Sequence, residues 1–282
     1  MSESLNTEVC VLIGAGAIGQ AIARRVAIEK TLLVADINES TAQQVAETLD
    51  SFGFTTEPAK VDVASEESVG ALATRAGELG TVTDVIHTAG LSPSQASAEA
   101  IIAVDLVGTA FVLEAFGRVI GRRGSGLVIA SQAGYMLPPL PVEQNQALSS
   151  TPAAELSALP FLDPANLNSG AAYALAKRAN SLRVQAASVL WGDRGARLNS
   201  LSPGIIMTPL AQDELSGPGG EAYRRMIEAS PAGRVAAPDE VAALAAFVMG
   251  PQGAFITGSD FLIDGGVIAS IATGRFSVQV GR

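Results

Sequence analysis

Short apolar runs alternate with longer amphipathic stretches along most of the chain. Near-continuous apolarity in a short run predicts a strand that is covered on both faces, which is typical of a parallel sheet between helices. The predicted strands are residues 9–13, 32–35, 82–86, 127–130, 196–201 and 261–263, and the predicted helices are 18–29, 40–49, 66–78, 98–119, 171–191 and 239–249. This alternation predicts an α/β fold, a doubly wound parallel sheet of the Rossmann type with helices on both faces. No linker or repeat divides the chain, so residues 1–282 are predicted to form a single domain.

One stretch, residues 136–168, interrupts the alternation and contains six prolines. Excursions of this length are often lids or binding loops. We expect an insertion that covers a substrate pocket, and an inert surface insertion is the alternative.

Charge and composition narrow the classes of function. With 18 basic and 28 acidic residues the net charge is −10, which disfavours binding to nucleic acid. A single cysteine and a single histidine make a metal site built from these residues improbable, and none is predicted. The polar N-terminal segment 1–8 resembles neither a signal nor a transit peptide, and no continuous apolar run reaches membrane-spanning length, so a cytoplasmic protein without membrane partners is expected.

A glycine motif follows the first predicted strand. Gly14, Gly16 and Gly19 have the spacing G-x-G-x-x-G, with Ile18 inside the motif and a helix after it. In this context the glycines allow a tight turn, close approach of a pyrophosphate and packing of helix on strand. Asp36 ends the second strand, where a carboxylate can accept hydrogen bonds from both adenosine ribose hydroxyls and repel a 2′-phosphate. We therefore predict NAD rather than NADP as the cofactor, whereas a helix-capping role is the alternative for Asp36.

A second acidic position follows a further expected strand. Asp62 could contact the adenine through its carboxylate and Val63 through its backbone. An aspartate at a strand end is common, so this motif is the less specific of the two.

Tyr173 and Lys177 are the candidate catalytic pair. Their spacing of four places both on one face of a helix, about one turn apart. A nearby positive charge favours the phenolate, so such a phenol can act as acid or base nearer neutral pH. Ser131, at the end of an apolar run, could hold a substrate oxygen at the same point. A chance surface pair is the alternative when the spacing is taken alone.

Together these motifs resemble the short-chain dehydrogenase/reductase family from about Val9 to Gly266. The resemblance also rests on further motifs, which are Ala89-Gly90, Gly134, Asn199 with Pro203-Gly204 and Thr208, and Asp264-Gly265-Gly266.

The resemblance implies hydride transfer between a nicotinamide and a carbinol or carbonyl carbon. It implies that Tyr173 is the general acid and base, that Lys177 bonds the nicotinamide ribose, and that Ser131 positions the substrate oxygen. The Ile206 backbone and Thr208 would hold the carboxamide. The remaining motif residues implied at the cofactor are Ala89, Gly90, Pro203 and Gly204.

Three departures from the family pattern stand out. Asp105 occupies the position of an asparagine that usually bends a helix and holds a water linked to the lysine; a carboxylate there could stabilise the Lys177 ammonium or disturb the proton relay. His87-Thr88 replaces two asparagines, and we interpret His87 as a structural hydrogen-bonding residue. Ser131 and Tyr173 lie 42 positions apart, where most members have about a dozen.

We predict an NAD-dependent alcohol dehydrogenase or carbonyl reductase for a fairly bulky, apolar secondary alcohol or ketone, such as an alicyclic, aromatic or steroid-like compound. The apolar residues of 136–168 could roof the pocket, or pack the insertion onto the body, and 210–230 is predicted to be a second substrate lid. Two alternatives remain: a non-catalytic nucleotide sensor on the same fold and, on weaker grounds, a nucleotide-sugar epimerase or dehydratase. The resemblance also implies a homo-oligomer, a tetramer or dimer.

Overall fold

The sheet is parallel and has seven strands. The computed structural model describes residues 7–217 and 219–277; most of the N-terminal segment used to predict location falls outside them. In spatial order the strands are β3-β2-β1-β4-β5-β6-β7. Their bounds are β1 Glu8–Ile13, β2 Thr31–Asp36, β3 Thr55–Lys60, β4 Thr81–His87, β5 Ser125–Ile129, β6 Arg197–Pro203 and β7 Asp260–Ile263. The six strands predicted from apolar runs are all present, which confirms the doubly wound fold.

The sequence indicates a strand before Asp62 but does not give its bounds, because the sequence of β3, TTEPAK, has no apolar run. It lies at the edge of the sheet and pairs only with β2 among the described strands. An edge strand has one solvated side and tolerates a proline such as Pro58. The edge position explains why hydrophobicity does not mark it.

Helices cover both faces of the sheet. The principal helices are α1 Ala17–Val26, α2 Glu39–Ser51, α3 Glu66–Leu79, α4 Ala98–Ile101, α5 Thr109–Val119, α6 Val142–Ser150, α7 Ser169–Asp193, α8 Pro209–Ser216, α9 Gly220–Ala229, α10 Pro238–Met249 and α11 Val267–Ala272. A π-helical segment, Ile102–Gly108, joins α4 to α5, so the predicted helix 98–119 is continuous. By length and hydropathy this helix could cross a membrane, but most of its apolar window is buried inside the domain, as in a core helix.

The core has two halves, one on each face of the sheet. Side chains of β1 alternate between them: Val9, Val11 and Ile13 face α3, α5 and α7, whereas Cys10 and Leu12 face α1, α2 and α10. This period of two is what a strand buried on both faces requires. The arrangement brings the carboxyl ends of β1, β4, β5 and β6 to one edge, where binding sites of such sheets form.

The insertion 136–168 is structured and packs against the body. It contains α6 and three short 3₁₀ turns, and Leu148, Leu156 and Leu162 are completely buried in the same core half as α5 and α7. The Arg183 guanidinium on α7 donates to the carbonyls of Leu148 and Thr151 at 3.1 and 2.8 Å. For these three leucines the packing alternative is therefore correct, and they do not roof a pocket.

Candidate active site

Helix α7 presents Tyr173 and Lys177 on one face, as their spacing predicts. The helix begins at an Asn168 side chain that accepts a hydrogen bond from the Ala171 amide at 2.8 Å, a normal N-cap. The Lys177 Nζ lies 5.3 Å from the centre of the Tyr173 ring. Lys177 is buried and Tyr173 is half-buried, so the ammonium is enclosed while the tyrosine keeps partial contact with solvent.

Asp105 forms a buried ion pair with Lys177. Its Oδ2 lies 3.1 Å from Nζ, and its Oδ1 accepts a hydrogen bond from the Leu91 amide at 2.8 Å. Burial by itself lowers the pKa of Lys177, but the Asp105 carboxylate, followed by Tyr173, more than offsets it, and the pKa lies above its usual value. A charged lysine is therefore maintained in a buried position, and of the two effects predicted for Asp105, stabilisation of the ammonium is the one that this geometry supports.

The π-helical segment positions Asp105 and connects it to His87. The Thr109 hydroxyl donates to the Asp105 backbone carbonyl at 2.8 Å, so its oxygen accepts from His87 Nε2 at 3.0 Å. His87 is buried, and burial followed by the Lys177 charge lowers its pKa to about 3. A histidine held neutral in this way matches the structural role expected for it.

Ser131 lies beside the same helix. It precedes a 3₁₀ turn, Gln132–Tyr135, and its Oγ accepts the Ala133 amide at 3.1 Å. A Cβ on Gly134 would lie 2.8 Å from the Arg178 amide nitrogen, so only glycine lets this turn pack so closely on α7. The turn thus sets Ser131 next to the helix that carries Tyr173 and Lys177.

The glycine loop is built around Asp36. Gly14 has a positive φ of 92°, which favours glycine, and one carboxylate oxygen of Asp36 accepts the Ala15 amide at 2.9 Å. The other oxygen accepts the Asn38 amide at 3.0 Å, while Asn38 itself caps α2. Asp36 therefore orders the loop and does not cap the helix, which excludes the alternative considered for it.

Thr88 fastens the same loop to β4. Its hydroxyl donates to the Gly14 carbonyl at 2.7 Å and its amide donates to the Ile13 carbonyl at 2.8 Å. Thr88 therefore ties the carboxyl end of β4 to β1 and to the glycine loop.

The open side of the loop can accept an anion. Gly16 is the N-cap of α1 without a side-chain cap, the first turn of α1 has no acidic residue, and the space next to Gly16 is open to 4 Å. A free helix N-terminus with space before it suits a pyrophosphate. Ile18 and Gly19 follow in the first turn of α1, as the motif requires.

The remaining predicted cofactor residues lie around this edge. A Cβ on Gly90, which follows Ala89, would be 3.0 Å from Asp105 Oδ2 and 3.1 Å from Lys177 Nζ, so this backbone borders the ion pair. The exposed Asp62 carboxylate accepts the Ala64 amide at 2.9 Å, and Val63 is buried. Neither the hydrogen bond of Asp62 nor the burial of Val63 assigns these residues a role at the adenine.

The segment after β6 continues this edge. Pro203 ends β6, and the Gly204 amide donates to the Ile263 carbonyl of β7 at 2.9 Å. Ile206 forms a parallel bridge with Ala236, and the Thr208 hydroxyl accepts the Ala211 amide at 3.1 Å as the N-cap of α8. The chain is therefore fixed at 203–208 immediately before the predicted lid.

Sequence reasoning missed several side chains by which α8 and α9, in the predicted lid, contact the rest of the site. Glu214 of α8 accepts hydrogen bonds from Ser92 and, at 3.2 Å, from Ser94, both in the loop after β4. Gln132 Nε2 lies 3.3 Å from the Met226 sulfur of α9. Ser92 and Glu214 are 122 positions apart, so no local pattern could have paired them, but Gln132 adjoins Ser131 and could have been noted.

Comparison with known proteins identifies the family. The model described as short chain dehydrogenase matches residues 8–142, and one described as Enoyl-(Acyl carrier protein) reductase matches 164–268. The short-chain dehydrogenase/reductase bsc3 of Alternaria brassicicola is 39% identical over 269 residues, 95% of this chain and 98% of its own. The chain is a short-chain dehydrogenase/reductase. Like other members of this family, it is an oxidoreductase that acts on alcohols or ketones.

Two further relatives of this dehydrogenase differ in their named substrates. D-threitol dehydrogenase of Mycolicibacterium smegmatis is 29% identical and covers 93% of each chain. The structure of 3-alpha-hydroxysteroid dehydrogenase from Pseudomonas sp. B-0831, complexed with NADH, has a TM-score of 0.76 and 25% identity, with coverage of 96% of this chain and 100% of that one. These names place a small polyol and a steroid among the substrates of similar dehydrogenases.

Proposed function

We propose that this enzyme is an NAD-dependent alcohol dehydrogenase or carbonyl reductase that interconverts a secondary alcohol and its ketone. The observation that carries the proposal is the group formed by Tyr173, the buried Lys177 ammonium and Asp105, next to Ser131. It supplies a half-buried phenol with a fixed positive charge beside it.

Each of these residues has a distinct task. Ser131 holds the substrate oxygen, and Tyr173 takes the hydroxyl proton in oxidation or returns it to the ketone oxygen in reduction. The Lys177 ammonium stabilises negative charge on the phenol. Asp105 keeps Lys177 protonated, and acts through Lys177 without touching the substrate.

The residues at the carboxyl edge of the sheet fit a nicotinamide dinucleotide. The pyrophosphate would bind at Gly14, Gly16 and Gly19 and the N-terminus of α1, where the free amides and open space lie. Lys177 would bond the nicotinamide ribose, and Thr208 with the Ile206 backbone would hold the carboxamide. When bound, this group supplies a hydride acceptor or donor.

Asp36 supports NAD over NADP. Its carboxylate is fixed by the Ala15 and Asn38 amides at the end of β2, and each oxygen keeps further lone pairs for the ribose hydroxyls. A 2′-phosphate would approach this negative charge and be repelled.

The substrate that we propose is fairly bulky and mostly apolar, such as an alicyclic, aromatic or steroid-like compound. The lid contributes Met226 and Ile227 of α9, and Met207 and Leu210 at its base are more than one-third exposed. Exposed apolar side chains next to an active site provide contact area for an apolar substrate.

We further propose a cytoplasmic homo-oligomer without nucleic acid or membrane partners. Phe255 is fully exposed, and Phe247, Val189 and Leu190 are at least 49% exposed. Large exposed apolar side chains of this kind are typical of subunit contacts. Sedimentation velocity tests this proposal: a dimer or tetramer is expected, and a monomer at micromolar concentration contradicts it.

The test of the function is NADH formation with a panel of cyclic and aromatic secondary alcohols. Tyr173→Phe should lower kcat roughly 10²- to 10⁴-fold, because the proton transfer is lost, while NAD binding measured by calorimetry persists. Substantial turnover by this variant would overturn the catalytic assignment. NAD binding by the wild type without turnover of any alcohol or ketone would favour the nucleotide sensor instead.

A further inference from the structure

The 3₁₀ turn that follows Ser131 ends at Tyr135 and is fastened to the rest of the domain at three points. At its start, the residue before Ser131 donates its amide to the Leu201 carbonyl of β6 at 2.8 Å. In its middle, Gly134 packs on the backbone of α7, where an added Cβ would lie 3.0 Å from the carbonyl carbon of Lys177. The turn therefore lies directly against the helix of the catalytic pair.

The third point is the side chain of Tyr135. Its phenol donates a hydrogen bond to Oδ2 of Asp260, the first residue of β7, at 2.6 Å. A hydrogen bond to a carboxylate is charge-assisted, and it is stronger than one between neutral groups. The insertion 136–168 begins immediately after Tyr135, so this bond fastens the end of the turn to the sheet before the chain enters the insertion.

Asp260 is itself held by the neighbouring strand. Its Oδ1 accepts a hydrogen bond from the Ser200 hydroxyl at 2.6 Å, and its Oδ2 accepts one from the Ser202 hydroxyl at 2.8 Å. Ser200 and Ser202 are buried in β6, two positions apart and therefore on one face of the strand. Three hydroxyl groups thus orient one carboxylate, and this carboxylate orients Tyr135.

Joining β7 to β6 accounts for the two serines but not for Tyr135. The strands already pair in parallel over 200–203 and 260–263, and both serines lie within this ladder. Tyr135 belongs to a different segment and its side chain is more than one-third exposed, so its bond adds little to the core. What the bond restricts is the turn that begins beside Ser131.

We propose that Tyr135, held by Asp260, is a positioning residue that sets the place of the Ser131 hydroxyl relative to Tyr173. The inference rests on the proposed function, in which Ser131 holds the substrate oxygen and Tyr173 exchanges the proton. Displacing a reacting group by about 1 Å can lower a rate about 10²-fold, so loosening this turn lowers kcat. Tyr135 and Asp260 act through Ser131 and do not contact the substrate.

The variant Tyr135→Phe removes this bond selectively, because the ring remains and Asp260 Oδ2 keeps the Ser202 hydroxyl. For the secondary alcohol that the wild type oxidises fastest, we expect kcat to fall about tenfold. The dissociation constant of NAD, measured by calorimetry, should stay within about twofold, because the turn is not part of the glycine loop.

Ser200→Ala is the matched control. It removes one hydroxyl group from the same carboxylate and leaves the bond between Tyr135 and Asp260 in place. This variant should lower the urea midpoint of unfolding without changing kcat. A fall in kcat equal to that of Tyr135→Phe would show that any weakening of the Asp260 contacts has this effect, and would overturn the specific role of Tyr135.

A double-mutant cycle with Ser131→Ala separates positioning from general support of the fold. If Tyr135 acts through Ser131, adding Tyr135→Phe to Ser131→Ala should change kcat less than about twofold, because the hydroxyl to be positioned is already absent. A residue with a merely structural role would lower kcat by the same factor in both backgrounds, since independent effects are additive in free energy. Urea denaturation of each variant verifies that the rates refer to folded enzyme.

The outcomes separate this inference from the proposed function. An unchanged kcat in Tyr135→Phe, or an equal loss with and without the Ser131 hydroxyl, overturns the role of Tyr135 alone. A wild-type kcat in Ser131→Ala overturns the task proposed for Ser131 and the inference with it. Failure of the wild-type enzyme to oxidise any alcohol or reduce any ketone overturns the proposed function as a whole.

Discussion

Replacing Asp105 by asparagine tests the ion pair that maintains the Lys177 charge. Asp105 is completely buried, its Oδ2 lies 3.1 Å from Lys177 Nζ, and the Lys177 side chain is only 7% exposed. At an effective dielectric constant of about 20, two unit charges at this distance attract by about 5 kcal/mol, or about 4 pKa units. Asp105→Asn should therefore lower the pKa of Lys177 from above its usual value into or below the range of ordinary assays.

Stability and activity should then respond to pH in opposite directions. In the wild type the folded pKa of Lys177 is raised, so the lysine's contribution is complete below its unfolded pKa of about 10.4 and is lost only as pH rises through the higher folded value. In the variant the unfolded chain binds the extra proton, so the free energy of unfolding increases as pH rises from 6 to 9. Over the same range kcat should fall, because Lys177 loses the charge that stabilises the Tyr173 phenolate.

The assay is urea denaturation at pH 6, 7, 8 and 9 together with initial rates at each pH. Removing one partner of a buried pair costs about 3–5 kcal/mol, so this loss is expected at pH 6 to 7. Asp84→Asn is the matched control, because Asp84 is also buried and pairs with Lys30 away from the site; it should alter stability without changing the pH profile of kcat. If the free energy of unfolding of Asp105→Asn lies within about 1 kcal/mol of the wild-type value and the pH profile of kcat is unchanged, the reasoning is refuted.

Two further predictions concern the cofactor and the insertion. Asp36→Asn should lower the ratio of kcat/KM for NAD to that for NADP at least about tenfold, because the repulsion of the 2′-phosphate is lost; an unchanged ratio in steady-state kinetics would contradict the role of Asp36. Leu156→Ala should lower the free energy of unfolding by about 2–5 kcal/mol with kcat/KM preserved, since Leu156 is completely buried in the core. Val142→Ala, at a position 68% exposed in the same insertion, should stay within about 0.5 kcal/mol. A loss of kcat/KM in Leu156→Ala without a loss of stability would restore the insertion as a pocket roof.

The sequence predicts the sheet and the common helix face of Tyr173 and Lys177, because both depend on local patterns. Buried parallel strands are apolar along their length, and Tyr173 with Lys177 needs only a helical spacing. Strand β3 cannot be located in this way, because an edge strand needs no apolar run. The π-helical segment around Asp105 could not be predicted, since its residues read as ordinary helix and its geometry is seen only in contact with Leu91, Thr109 and Lys177.

The features that the sequence did not predict depend on contacts between residues that are distant in the sequence. The position of segment 210–230 after Thr208 indicates a lid, but the pairing of Glu214 with Ser92 depends on how helix α8 meets the loop after β4. For the insertion, both packing and roofing were compatible with its leucines. Complete burial favours packing for Leu148, Leu156 and Leu162, and the contacts of Arg183 with the Leu148 and Thr151 carbonyls could not be identified from composition.

Arg183 has a practical consequence for redesign. It binds the insertion to α7, the helix that also carries Tyr173 and Lys177, and the insertion packs as well against the π-helical segment that carries Asp105. Truncating buried side chains of the insertion should therefore lower thermal stability, and kcat should change only where α7 or the π-helical segment is displaced. Helices α8 and α9, in the predicted lid, contact the site through the side chains of Glu214 and Met226, so libraries aimed at new substrates should be confined to these helices.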